Sequence, residues 1–121
     1  MKDDRKTLGQ HGETAAISFL QARGFTILET NYQTKLAEID IIAKDNDFFC
    51  FIEVKTRRSL KKGLPRESVN YSKQKKIILG ATFYLKEKKQ INSRIRFDVV
   101  EVLEKNGKFD INLIKNAFST H

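Results

Sequence analysis

Two segments, Glu38 to Lys44 and Phe48 to Arg57, flank the turn-forming run Asp45-Asn46-Asp47, and no other stretch of the chain constrains the fold as strongly. Turn formers between two such apolar, alternating runs predict a β-hairpin. In the second segment Phe49, Phe51, Glu53 and Lys55 share one face, while Cys50, Ile52 and Val54 share the other. If Lys44 pairs with Asp47, then Ile39, Ile41 and Ala43 join Cys50, Ile52 and Val54 on a wholly apolar face. A slip of one residue would bury Glu38 and Asp40 among aliphatic side chains, so burial itself selects this parity.

The remaining segments build a sheet-and-helix protein around that hairpin. From Leu8 to Arg23 the residues Leu8, Gly12, Ala15, Ala16, Phe19 and Leu20 cluster at 3.6 residues per turn, and Gly24 is placed as a C-terminal stop, which predicts a helix. Glu13 falls about 20° from Leu20 on that helix, at the margin of the apolar face, where it can point inward. Phe25 to Glu29 alternates as a strand and ends at Asn31-Tyr32, which reads as a turn. Ser59 to Pro65 reads as a mobile loop. Ser72 can cap a helix running to about Lys89, with Ile77, Ile78, Ala81, Tyr84 and Leu85 as its buried stripe. Arg94 to Leu103 and Phe109 to Lys115 flank Asn106-Gly107, a hairpin signal. The predicted order is α-β-β-β-α-β-β. It implies an α/β sandwich with a central mixed β-sheet flanked by helices, in a single domain spanning residues 1–121.

The net charge of +8 is unevenly distributed. Up to Val54 there are six basic against nine acidic residues, whereas from Lys55 to Lys89 there are twelve basic against two acidic. A dense positive block attracts polyanions by counterion release, which points to nucleic acid ahead of an anionic lipid surface. A solvated face is the plainer explanation of the same block. No apolar run approaches the roughly 18 residues of a membrane span, and the N-terminal Met1-Lys2-Asp3-Asp4 lacks a signal-peptide core, so a cytoplasmic protein with no membrane association is expected. The single cysteine, Cys50, rules out an internal disulfide and a cysteine-rich zinc site, and it reads as a small buried hydrophobe. With only His11 and His121 available, histidine-based nuclease and Ser-His-Asp chemistries lack their parts. No GxxxxGK[ST] loop is present.

In the register above, Glu38 lies opposite Glu53 and Asp40 lies diagonal to it, with β-carbons roughly 4.5 to 8 Å apart. Acids this close raise one another's pKa unless a cation, a shared proton or splayed side chains relieve them. Lys55, on the same face, supplies one positive charge. Carboxylate oxygens with no nearby histidine or thiolate suit Mg²⁺ or Mn²⁺ better than zinc. A solvated strand end with surface ion pairs is the structural alternative.

At these residues the chain resembles a known family. Asp40, a turn, and Glu53-Val54-Lys55 are similar to the PD-(D/E)XK signature of restriction-endonuclease-like nucleases. Gly9, Gly12-Glu13, Ala15-Ala16, Gly24, Asn31-Tyr32, Glu38 to Ala43, Phe51 to Arg57, Arg96 to Val100 and Asn116-Ala117-Phe118 together resemble the bacterial YraN family over nearly the whole chain. No proline precedes Asp40, Ala37 stands where that family commonly has glycine, and Gln33 where it commonly has arginine. The resemblance implies a restriction-endonuclease-like fold and metal-dependent hydrolysis of phosphodiester bonds in DNA, including branched or distorted DNA. A noncatalytic nucleic-acid-binding module on the same fold is the alternative.

It further implies that Asp40, Glu53 and the Val54 carbonyl hold Mg²⁺ or Mn²⁺, with Glu13 completing the site. Lys55 then orients or deprotonates water, or donates to phosphate, and Glu38 supports the ligands from outside. Gln74 and Lys75 resemble residues that related nucleases direct at the site, while Thr56, Arg57, Arg58, Lys61, Lys62 and Lys76 are candidate phosphate contacts. A homodimer is one arrangement for cutting two strands, and the sequence leaves it open.

Overall fold

The structure is a computed structural model that describes residues 4–58 and 69–120. The loop expected at Ser59 to Pro65, with Lys61 and Lys62, lies outside the described residues, as does His121. The elements are α1 (Asp4–Ala22), β1 (Thr26–Gln33), β2 (Glu38–Asp45), β3 (Phe48–Arg57), α2 (Tyr71–Glu87), β4 (Ile95–Lys105) and β5 (Lys108–Phe118). The strands form one sheet in the order β1-β2-β3-β4-β5. Three neighbouring pairs are antiparallel, and β3 pairs with β4 in parallel across the α2 connection. The mixed α/β architecture and the element order are those expected from the sequence, and they are compatible with a restriction-endonuclease-like fold.

The two helices lie over opposite sheet faces. Ala16 and Leu20 of α1 pack with Ile41, Ala43, Cys50, Ile52, Val54, Val100 and Val102. Ile77, Ala81, Tyr84 and Leu85 of α2 pack with Ile42, Phe49, Phe51, Phe97 and Val99. Both faces are covered, so the central strands β3 and β4 are nearly continuous buried runs rather than half-polar ones.

The hairpin register differs from expectation by one residue on each strand. Asp45 pairs with Phe48, not Lys44 with Asp47, and the ladder runs through Ala43–Cys50 to Ile41–Ile52. The reason is the turn: Asn46 takes a left-handed φ of 54°, which asparagine tolerates and which suits a two-residue hairpin connection. Parity survives a shift of two, so the faces are preserved for Ile41, Ala43, Cys50, Ile52 and Val54. Ile39 is the exception. It packs with the α2 cluster, where Gly80 leaves room for it: a Cβ there would stand 3.2 Å from its Cδ1.

Other boundaries also moved. Asn31-Tyr32 is not a turn; both residues lie inside β1, Asn31 with a φ of 51°. The true turn follows at Thr34 to Ala37, closed by a Thr34 N–H to Ala37 O bond of 2.8 Å, with Thr34 Oγ1 accepting from the Leu36 and Ala37 amides. The cap of α2 is Asn70 rather than Ser72, its Oδ1 accepting from Lys73 N at 2.9 Å. Asn106 and Gly107, at φ of 52° and 77°, make the expected hairpin turn between β4 and β5.

A buried ion network ties the turn end of the β2–β3 hairpin to β4. Arg96 donates from Nε to Asp98 Oδ1 at 2.9 Å and from Nη2 to Asp98 Oδ2 and Asp45 Oδ2, each at 2.9 Å. Asn116, left-handed at φ 54°, adds its N–H to Asp98 Oδ1 at 2.9 Å. Asp98 is wholly buried, yet every charge here has a partner.

Candidate functional site

At the other end of the hairpin the ladder stops, and Asp40 takes over from the backbone. Its Oδ2 accepts from the Val54 N–H at 2.8 Å, so the side chain of β2 bridges to β3 where main-chain pairing ends. Continuing the observed register by one step sets Asp40 directly across from Glu53, instead of diagonal to it. Glu53 is only 5% exposed. Burial, and then the neighbouring Glu53 carboxylate, push the Asp40 carboxyl up to about 7, despite the Val54 hydrogen bond.

Glu13 on α1 is near enough for its charge to act on this pair. Gly12 makes the approach possible: a Cβ there would come within 2.8 Å of Thr56 Cγ2, so only glycine lets the helix sit this close to β3. Burial, then Glu38 and Glu53, raise the Glu13 carboxyl, and a hydrogen bond with Asn31 opposes the shift. Asn31 therefore contributes a left-handed backbone kink and a polar contact at the site, rather than the turn its sequence suggested. Glu38 is exposed, accepts from Gln33 Nε2 at 3.3 Å, and lines the same cleft.

The positive charges come from two directions. Lys55 on β3 stands 3.5 Å from Glu53 Oε1, and Lys73 in the first turn of α2 stands 2.7 Å from the same oxygen. Burial lowers the Lys55 pKa, and the adjacent Lys73 ammonium lowers it further. Burial works against the charge on Lys73 as well, but Glu53 more than offsets it and the pKa is raised. Lys73 was missed in the sequence. The basic block around it was visible, but which lysine of Lys73, Lys75 and Lys76 turns inward depends on where the Asn70 cap starts the helix. A cleft of about 260 Å³ opens over these groups, walled by Leu36, Ala37, Glu38, Asp40, Glu53, Lys73, Lys76 and Ile77.

Several expected contacts lie elsewhere. Thr56 faces α1 and abuts Gly12, so it is a packing residue. Arg58 pairs with Glu104 at 3.5 Å and lines a different hollow, together with His11. Gln74 donates to Val69 O at 3.0 Å, and Lys75 lies over the Tyr71 ring at 4.7 Å. Arg57 alternates onto the Glu53 and Lys55 face, with its Nε buried and without a hydrogen-bond partner among the described residues. Cys50 is buried, which pushes its thiol up to about 12 and suits an inert core residue.

Among the described residues, no group of three or more His, Cys, Asp or Glu side chains is assembled to hold a metal by itself. Mg²⁺ requires less: it is commonly held by one or two carboxylates together with water and substrate phosphates. The Asp40–Glu53 pair, with oxygen donors only and with charge that its surroundings leave partly uncompensated, fits that requirement.

A cleft in which the acids of a split hairpin meet Lys73 and Lys76 of α2, on a five-strand mixed sheet, defines an α/β protein of restriction-endonuclease-compatible architecture. Residues 12–102 match the model of the uncharacterised protein family UPF0102, and the chain belongs to that family. It is similar to a UPF0102 protein of Desulforapulum autotrophicum, at 51% identity over 99% of both chains. It is also similar to UPF0102 proteins of Caldicellulosiruptor saccharolyticus, at 47% identity over 95% of this chain and 99% of the relative, and of Clostridium acetobutylicum, at 46% over 93% and 94%. No helix among the described residues is long and apolar enough to cross a membrane.

Proposed function

We propose that this protein is a metal-dependent endonuclease-like enzyme hydrolysing phosphodiester bonds in DNA, with Asp40 and Glu53 as the principal ligands of Mg²⁺ or Mn²⁺. The observation that carries the reading is the geometry of the pair: Asp40, held by the Val54 N–H at 2.8 Å, and the buried Glu53 line one open cleft with Lys73 and Lys76, where burial pushes the Asp40 carboxyl up to about 7. The Val54 carbonyl would add a further oxygen donor, and Glu13 would act on the pair from α1 through its charge rather than as a third carboxylate already in place. The chemistry that Mg²⁺ or Mn²⁺ would supply when held by Asp40 and Glu53 is acidification of water and neutralisation of charge developing on the phosphate.

The chain's own residues do the rest. Lys55, whose burial eases loss of its proton, orients or deprotonates the attacking water. Lys73 and Lys76 meet the non-bridging phosphate oxygens, and Glu38 steadies the cleft wall through Gln33. The basic stretch after Glu53 draws the polyanion in, so affinity falls steeply with salt.

One observation favours a second reading. Lys73 already sits 2.7 Å from Glu53 and supplies an internal cation, as a noncatalytic nucleic-acid-binding module on this fold would need. Nicking of plasmid and of branched DNA with Mg²⁺ or Mn²⁺, in wild type, Asp40→Ala and Glu53→Ala, separates the two. Cleavage lost in both variants supports the enzyme. Absence of cleavage with retained DNA affinity supports the binding module, and cleavage indifferent to both substitutions removes the enzyme reading.

A further inference from the structure

Beside the acidic cleft lies an exposed apolar shelf that the fold itself does not use. Leu79 and Phe83, four residues apart on α2, are each 54% exposed, and Leu36 in the β1–β2 turn is 66% exposed. Together they line a broad open groove, shared with Lys35 and Lys86. Leu36 also walls the acidic cleft, so the groove and the cleft adjoin at this residue. Large apolar side chains exposed side by side at the mouth of a groove form a surface suited to a ligand.

The rim decides what the cover is. Among the described lining residues there are two lysines and no acid. In an isologous contact between two copies the same patch meets itself, which would bring Lys35 and Lys86 of both chains together without a neutralising partner. A nucleic-acid strand meets both demands, because it presents phosphates to the lysines and flat apolar bases to the shelf. Aromatic rings beside a positive rim are the usual means of holding unpaired bases regardless of sequence.

We propose that this shelf receives the unpaired bases of a nucleic-acid strand whose phosphodiester enters the neighbouring cleft, with Phe83 stacking on a base and Leu36 and Leu79 packing beside it. The inference rests on reading the cleft as a phosphodiester site, and it narrows the substrate to DNA with an unpaired stretch next to the scissile bond. A fully paired duplex keeps its bases stacked inside and offers the shelf nothing.

The test measures binding by fluorescence anisotropy in EDTA, where no cleavage occurs, using an oligothymidine and a fully paired duplex of equal length. Phe83→Ala is expected to weaken oligothymidine binding roughly tenfold while duplex affinity stays within about twofold, and Phe83→Trp is expected to restore it. Loss of affinity for both probes alike, or for neither, overturns the proposal. So does a wild-type dimer, seen by sedimentation, that Phe83→Ala dissociates, since the shelf would then serve a second copy. Melting midpoints confirm that each variant is folded, as exposure of Phe83 predicts. A selective Phe83 effect in a protein that cleaves no DNA would uphold the shelf and remove the nuclease reading. Asp40-dependent cleavage with binding indifferent to Phe83 would do the opposite.

Discussion

The β2–β3 hairpin carries buried charge at both ends, and the two ends are treated in opposite ways. At the turn, Arg96 grips Asp98 with paired hydrogen bonds and reaches Asp45, Lys115 adds a contact of 3.4 Å to Asp45, and Asn116 supplies a backbone donor. Burial alone would raise the Asp45 carboxyl, but Arg96 and Lys115 overcome it and hold it below its ordinary value. At the open end, Asp40, Glu53 and Glu13 face two lysines that both lean on Glu53, and Asp40 is pushed up to about 7. The chain is evidently able to build a matched buried network, since it does so a few residues away. An unmatched one is a cost carried by the surrounding fold, and such costs gather where a ligand supplies what is missing.

The largest effect is expected from breaking the matched end. Arg96→Ala leaves Asp98 buried without its partner and should destabilise the fold by roughly 3 to 5 kcal/mol. Urea unfolding reads this directly, and a loss below about 1 kcal/mol would show that the network is no staple.

The same kind of substitution at the open end should act with opposite sign. Asp40→Asn removes a repelling charge, so metal-free stability should stay equal or rise. Wild type should gain about 2.7 kcal/mol from Mn²⁺ at a hundred times its dissociation constant, and the variant should gain little. Calorimetric melts with and without metal check both statements. A wild-type midpoint unmoved by saturating Mn²⁺ would falsify the metal reading.

Gly12→Ala should cost roughly 1 to 3 kcal/mol by forcing α1 away from Thr56. Thr56→Ala in the same chain should recover much of that loss, which distinguishes a clash from a change in helix propensity. Because α1 carries Glu13, the single variant should also weaken the Mn²⁺ response.

The smallest effect is a pH dependence. A carboxyl whose folded pKa is raised favours the folded state while protonated, so Asp40's contribution is fullest below pH 3.8 and is lost as pH rises through about 7. Metal-free protein should therefore lose stability between about pH 3.8 and pH 7, with little further change above, by an amount on the order of 1 kcal/mol. Asp40→Asn should flatten that slope, and an equally steep slope in the variant would assign the titration to another group.

The sequence alone determined the element order, the two-faced hairpin, the identity of the acids and the asparagine-led turns at Asn46 and Asn106. These rest on period, parity and local backbone preference, which depend only on near neighbours in the chain. It did not determine the register, because a shift of two residues preserves the faces of Ile41, Ala43, Cys50, Ile52 and Val54 and leaves the choice to the left-handed Asn46 turn. Nor could it place Ile39 under α2, Lys73 on Glu53, Thr56 against Gly12, or Arg58 with Glu104. Each of those depends on how far apart two elements come to rest, and that distance is settled by packing between segments remote in sequence. The acids were therefore legible as residues, whereas their imbalance of charge, which makes them a candidate site, came only with the tertiary structure, because burial and proximity set it.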